Sequence, residues 1–299
     1  MTNVNKGSPD TAEKKDVVEY GLALDTPAQI ALIYNRKIGN LMPESFATYL
    51  NFATETAYLA GRLTLGYFQT NVQAEFKADE SPVTVADRLA EELIRSRIEA
   101  RFPRHAIVGE EHGTKEFEGA SHRWFIDPID GTKSFVRGVP LYAVLIGLEI
   151  EGRVEVGAVY FPALDEMIAA ATGEGCWWNG RPARVSSLPQ LNQGVVVFTD
   201  VANFGRFNRA AAMERIQSAC YYRAGWGDAY GHSLVATGRA ELMLDPIMNV
   251  WDCGPFPPIL REAGGYFGDW QGNETIYGNE AMATTQTLLP EVLSLIQGE

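Results

Sequence analysis

Trp124-Phe125-Ile126-Asp127-Pro128-Ile129-Asp130-Gly131-Thr132 is the stretch on which the reading of this 299-residue chain turns. An apolar run delivers two carboxylates three positions apart. Pro128 fixes the backbone between them, and Gly131 permits a sharp turn after them. The pattern reads as a buried strand ending in an acidic turn. Carboxylates so placed can share or bridge hard cations, and a backbone carbonyl such as that of Ile129 can add a ligand. Gly131-Thr132-Lys133-Ser134 would then open a helix whose free N–H groups suit a phosphate.

Strands and helices interleave on both sides of this stretch. Ala106-Ile107-Val108 reads as a short buried strand. Tyr142–Ile150 and Arg153–Phe161 flank Glu151-Gly152 and predict a hairpin. Trp178-Asn179-Gly180-Arg181 predicts another, because Asn-Gly suits a type I′ turn. Val195–Phe198 and Ala240–Leu244 are further predicted strands. Ser45 is a natural N-cap for a helix in which Phe46, Tyr49, Leu50, Ala53, Ala57, Ala60 and Leu63 recur at helical steps. A second helix is predicted over Val85–Arg101, with Leu89, Leu93, Ile94 and Ile98 inward and Arg88, Glu91, Glu92, Arg95 and Glu99 on a solvated face. Others are predicted over 205–219, Asp228–Thr237, Asp252–Ala263 and Leu289–Ile296. Pro255, Pro257 and Pro258 imply that the helix after Asp252 starts late or bends. Hairpins among helices argue for an α+β fold of mixed α/β layers rather than a simple doubly wound sheet. Residues 1–44 read as a polar N-terminal extension with an apolar patch at Ile30–Tyr34. No Gly-rich linker divides 45–299, so its two lobes, about 45–190 and 191–299, should be tightly fused.

Hydrophobic residues at 46% and charged residues at 21% describe an ordinary folded chain and exclude extensive disorder. Lys plus Arg number 25 and Asp plus Glu 38, a net charge of −13 that opposes binding to nucleic acid or an anionic membrane. No apolar run approaches the ~18–20 residues of a membrane span, and Met1–Tyr20 has the pattern of neither a signal nor a transit peptide. Cys176, Cys220 and Cys253 form no disulfide framework, which fits a reducing, cytoplasmic setting. His105, His112, His122 and His232 make no zinc pattern, so a metal here would be hard and oxygen-liganded.

Three more strings carry acids. Gly109-Glu110-Glu111 follows a strand, Pro82-Val83-Thr84-Val85-Ala86-Asp87 opens a helix, and Trp251-Asp252 precedes Glu262-Ala263-Gly264-Gly265. Taken singly, Glu110 reads as surface, Asp87 as a first-turn helix residue and Asp252 as an N-cap. Taken together and in order over about 45–299, they and the Asp127–Thr132 string resemble the inositol monophosphatase family of magnesium-dependent phosphatases. The resemblance implies an alternating αβαβα sandwich, often a homodimer, as the phosphatase domain. It implies Glu110, Asp127, Asp130, Asp252 and the Ile129 carbonyl as ligands of two or three Mg2+ ions, which neutralise the phosphate ester and activate water. By the same resemblance Asp87 and Thr132, with Glu110, serve catalysis, and Gly131 and Thr132 give N–H groups to the phosphate.

Arg223-Ala224-Gly225-Trp226-Gly227-Asp228 is similar to a string of the family's histidinol-phosphate phosphatases, as is Asp130–Pro140. Histidinol phosphate carries an ammonium and an imidazole, so Asp228 and Asp245 beyond the metal site would select it over a neutral polyol. Arg223 and Asp252 complete the expected substrate contacts. A helix cap is the competing reading of Asp228, a strand-end turn that of Asp245. The expected activity is hydrolysis of the small phosphate monoester histidinol phosphate. The alternatives are an inositol or broad-range sugar-phosphate phosphatase and, more remotely, a non-catalytic binder of a phosphometabolite.

Overall fold

Ser45 caps the first helix of the described chain, its hydroxyl accepting the Thr48 N–H at 3.2 Å. The computed structural model describes residues 44–78 and 80–298, together with Met1. The apolar patch Ile30–Tyr34 therefore lies outside the described residues.

The elements run α1 (Phe46–Leu65), β1 (Glu75–Phe76), β2 (Pro82–Val83), α2 (Val85–Arg101), β3 (Ala106–Gly109), β4 (Gly113–Lys115), β5 (His122–Asp130), α3 (Thr132–Val136), β6 (Ala143–Ile150), β7 (Arg153–Phe161), β8 (Glu166–Ala171), β9 (Gly175–Trp178) and β10 (Arg181–Pro182). The second half adds β11 (Val195–Phe198), α4 (Val201–Arg206), α5 (Ala210–Ala219), β12 (Tyr222–Ala224), α6 (Ala229–Ala236), β13 (Leu242–Asp245), α7 (Val250–Cys253), α8 (Phe256–Ala263), β14 (Gly265–Gly268), β15 (Ala281–Thr285) and α9 (Leu289–Gln297). An eight-stranded sheet has the order β10-β9-β8-β7-β6-β5-β3-β4, and a five-stranded sheet the order β12-β11-β13-β15-β14.

Alternation along the strands sorts the core into layers. Trp124 and Ile126 of β5, with Val144 and Ile146 of β6, meet Tyr49, Ala53 and Ala57 of α1 and Ala90, Ile94 and Ile98 of α2. Phe125, Leu145 and Val159 face the other way, onto Val235 of α6 and Phe256, Ile259 and Leu260 of α8. Those helices share their cluster with Val197, Met243 and Phe267 of the small sheet. Val196, Leu242 and Leu244 on its far side pack with Met213 and Ile216 of α5 and Val292 of α9. The layers are thus α, β, α, β, α, an α+β sandwich.

Several expectations are corrected. Residues 205–219 are not one helix: α4 and α5 are separated at Asn208, whose φ of 57° is left-handed. The Asp252–Ala263 stretch divides into α7 and α8 around Gly254-Pro255, the interruption that its prolines implied, since proline withholds a donor. Strands β8, β12, β14 and β15 were not anticipated, since Ala-rich or Gly-bounded runs carry little alternation. Glu91 is not solvated but fully buried, and the Arg95 side chain is only 12% exposed. The turn after β3 covers both.

Gly147 and Gly157 lie opposite each other on β6 and β7. A Cβ on the first would overlap the backbone of Gly254, and one on the second the backbone of Pro255. The bare strands let the α7–α8 junction settle directly on the large sheet.

His232 of α6 is fully buried, its ring 4.7 Å from that of Phe256 and 5.4 Å from that of Phe267. Neither ring nitrogen has a hydrogen-bond partner among the described residues, and burial pushes its pKa down to about 3. The unfolded chain therefore takes up this proton first, at about pH 6.5. The stability that neutral His232 contributes is full above that value and is lost as pH falls toward the folded pKa. His232→Phe keeps the aromatic packing and is expected to reduce the acid-induced fall in melting temperature. Unfolding curves between about pH 7 and about pH 4.5 check this; equal falls in both proteins would refute it.

Candidate active site

β5 runs parallel to β3, so Gly109 lies beside Ile126, and the Glu110 N–H donates to the Ile126 carbonyl at 3.2 Å. The turn after β3 is thereby brought next to Asp127. The register between β5 and β6 shifts between Asp127 and Asp130, at Pro128, which has no N–H for the ladder. The Ile129 N–H instead donates to Asp127 Oδ1 at 3.0 Å. Asp130 Oδ2 accepts the Ala229 N–H at 2.6 Å, the first amide of α6, and so ties the end of β5 to that helix. Asp252 closes a capping box on α7, its Oδ2 accepting the Asn249 N–H at 2.8 Å.

Carboxylate oxygens of Asp127, Asp130 and Asp252 lie within 4.8 Å of one another. Among the described residues none of the three forms an ion pair with Lys, Arg or His. Burial raises the pKa of Asp127 well above the carboxylate range, and the charges of Glu110, Asp130 and Asp252 add to the effect. Burial does the same to Asp130, with Asp228 and Asp252 contributing. Asp252 is pushed up to about 7, chiefly by burial. Three hard oxygen donors, two buried and Asp252 half-buried, mutually repelling and without a cationic side chain, fit a divalent cation.

Glu110 stands at the edge of this group. Lys77 Nζ donates at 2.7 Å to Oε1 of Glu110 and at 2.7 Å to Oε1 of Glu111. Burial alone would lower the Lys77 pKa, but the two carboxylates outweigh it and raise it. Burial pushes Glu111 up to about 7.

Asp87 sits in the first turn of α2, fully buried. Its Oδ2 accepts from the Thr84 N–H at 2.8 Å and the Thr84 hydroxyl at 2.5 Å. Burial raises its pKa and these bonds oppose the rise. The Thr132 hydroxyl lies 3.2 Å from Asp87 Oδ1 and 3.0 Å from the Ile129 carbonyl, and shares its proton between them. Its lone pairs are left to accept from a water. Gly131, with φ of 83°, is the N-cap of α3. A Cβ there would lie 2.9 Å from Asp228 Oδ2 and 3.0 Å from the Leu141 carbonyl, so this corner is closed to side chains.

Asp228 precedes α6, but its side chain makes no capping bond to that helix. Its carboxylate lies against Gly131 instead. Burial raises its pKa, opposed by the Lys133 charge and by Thr199. Asp245 ends β13, buried, with Oδ2 accepting the Thr199 hydroxyl at 2.6 Å; burial raises its pKa well above the usual range. Arg223 donates to the Gln217 and Cys220 carbonyls at the C-terminal end of α5. Lys77, Thr84, Glu91, Thr199 and the Ala229 amide were missed from sequence. Thr84-x-x-Asp87 follows a capping-box spacing that could have revealed Thr84, whereas Lys77 leaves no periodic signal.

A five-layered sandwich with an acidic cluster at the end of β5 and the start of α7 fits a hydrolase of phosphate esters. The sequence model of the inositol monophosphatase family matches residues 46–297, and the chain belongs to that family. It is a phosphomonoesterase. It is 43% identical over 241 residues to the histidinol-phosphatase of Chlorobaculum parvum, covering 80% of this chain and 93% of the relative. It is 34% identical over 230 residues to the histidinol-phosphatase of Mycobacterium tuberculosis, covering 75% and 88%. The crystal structure of the extragenic suppressor protein suhB of Bartonella henselae superposes with a TM-score of 0.78 at 26% identity, over 84% of this chain and 98% of that one. No described helix is long and apolar enough to cross a membrane.

Proposed function

We propose that this phosphatase hydrolyses histidinol phosphate to histidinol and phosphate, with magnesium held by Asp127, Asp130, Asp252, Glu110 and the Ile129 carbonyl. The observation that carries the substrate is Asp228. Its carboxylate leaves its own helix uncapped and lies against Gly131, beside the expected phosphate position. An acid placed there suits a substrate with a cationic amine and imidazole. Asp245 places a second acid on the same side, sharing the neighbour Thr199 with Asp228. The histidinol-phosphatases among the relatives support the same reading.

Magnesium, when bound, would neutralise the phosphate ester and lower the pKa of water at neutral pH. The chain's own groups do the rest. Thr132, held by Asp87, orients the attacking water through its free lone pairs. Asp87, pinned by Thr84, keeps an acceptor near the proton that this water gives up. The amides of Gly131 and Thr132 orient the phosphate. The Ala229 amide holds the Asp130 carboxylate at the start of α6.

Phosphate release measured side by side on histidinol phosphate and inositol monophosphate, with magnesium and with EDTA, tests this. Higher kcat/KM on histidinol phosphate, abolished by EDTA, is the expected result. A preference for inositol phosphate would sink the substrate assignment.

A further inference from the structure

Asp87, Glu91 and Arg95 follow one another at four-residue steps and so line one stripe of α2. Asp87 reaches the site. Glu91, one turn on, is fully buried and ends in three bonds. Its Oε2 accepts the Glu111 N–H at 2.7 Å, and its Oε1 accepts the His112 N–H at 3.1 Å and the Arg95 Nε–H at 2.6 Å. Arg95 then donates through Nη2 to the Gly113 carbonyl. One carboxylate and one guanidinium therefore grip the 109–113 turn along its length.

That turn is soft by composition. Gly109 and Gly113 pair across its base, and Gly113 has φ of 66°. Glu110, at its start, needs a fixed direction. A buried ion pair is a weak source of stability, since well-packed apolar residues often serve as well or better. Its value here is geometric.

We infer that Glu91, braced by Arg95, is a positioning residue that sets Glu110 toward the Asp127 cluster. This rests on the reading of Glu110 as a magnesium ligand. Glu91 touches neither substrate nor ion; it acts through the Glu111 and His112 amides. Partners that orient metal ligands in this way typically govern metal affinity.

Calorimetric titration of magnesium into the full chain, for wild type, E91Q and R95K, with thermal unfolding in parallel, tests it. In E91Q the magnesium affinity is expected to fall roughly 10–100-fold, the range for such outer partners, with substrate KM at saturating magnesium within about twofold of wild type. R95K keeps the charge but loses the fork that spans Glu91 and Gly113, and should show a smaller fall. A folded E91Q with wild-type magnesium affinity overturns the inference. So does failure of both variants to fold, which would make the pair a stability element. Wild type that binds no magnesium would sink the metal assignment and the clamp with it, whereas normal wild-type binding beside an unaffected E91Q sinks the clamp alone.

Discussion

Asp127→Asn and Asp130→Asn are expected to lower phosphate release by about 10³-fold or more, equivalent to about 4 kcal/mol of barrier, while raising the melting temperature of the metal-free chain. Both effects have one cause. Burial and neighbouring negative charge hold the two folded-state pKa values above the ordinary carboxylate value. Folding therefore favours the protonated form, and stability falls as pH rises from the unfolded value through the folded one. Above that window each ionised group destabilises the fold. An amide removes the charge and keeps the shape, including the Oδ1 that accepts from Ile129 and the Oδ2 position that accepts from Ala229 once the amide is suitably turned. The same amide is a poor ligand for a hard cation. Circular dichroism in EDTA at about pH 8 and a phosphate assay with magnesium measure the two sides. Full activity in either variant would remove these residues from the metal assignment.

Asp228→Asn is expected to lose histidinol phosphate selectively. The substitution preserves shape and removes one partner of a charged pair, at about 2–5 kcal/mol when the pair is desolvated. At about 1.4 kcal/mol per tenfold this is on the order of 30-fold or more in kcat/KM. A phosphate ester without a cationic group should lose little, because Asp127, Asp130, Asp252 and Thr132 are untouched. Equal losses on both kinds of substrate would make Asp228 a structural residue and favour a broad-range monophosphatase. Kinetics on histidinol phosphate and on a neutral sugar phosphate separate the outcomes.

The legible parts of this molecule were those whose physics is local. Pro128 and Gly131 constrain the backbone within a few residues, so the Asp127–Thr132 string announced an acidic strand end before any fold was known. The hairpins at Glu151-Gly152 and Asn179-Gly180 were equally local, and both pair as expected. What escaped was long-range. Nothing near Asp228 in the chain says that its carboxylate will lie against Gly131; that follows from stacking one sheet on another. Glu91 was misplaced because a charged residue at a helix position reads as solvated, and only the later 109–113 turn buries it. Lys77 sits between Glu110 and Glu111 because a short ladder of β1 and β2 carries it there.

The bond from the Ala229 amide to Asp130 joins residues 99 positions apart, and Asp252 comes later still. Synthesis runs from the N-terminus, and domains begin to fold as they emerge. A ribosome that has released Asp127 and Asp130 has not yet made the amide that Asp130 accepts, nor the third carboxylate of the cluster. No unfinished chain that stops short of residue 252 carries the assembled set. Completion of the acidic centre therefore waits for Asp252, and a product truncated before residue 229 is left with Asp127 and Asp130 but with neither the Ala229 amide nor the third carboxylate.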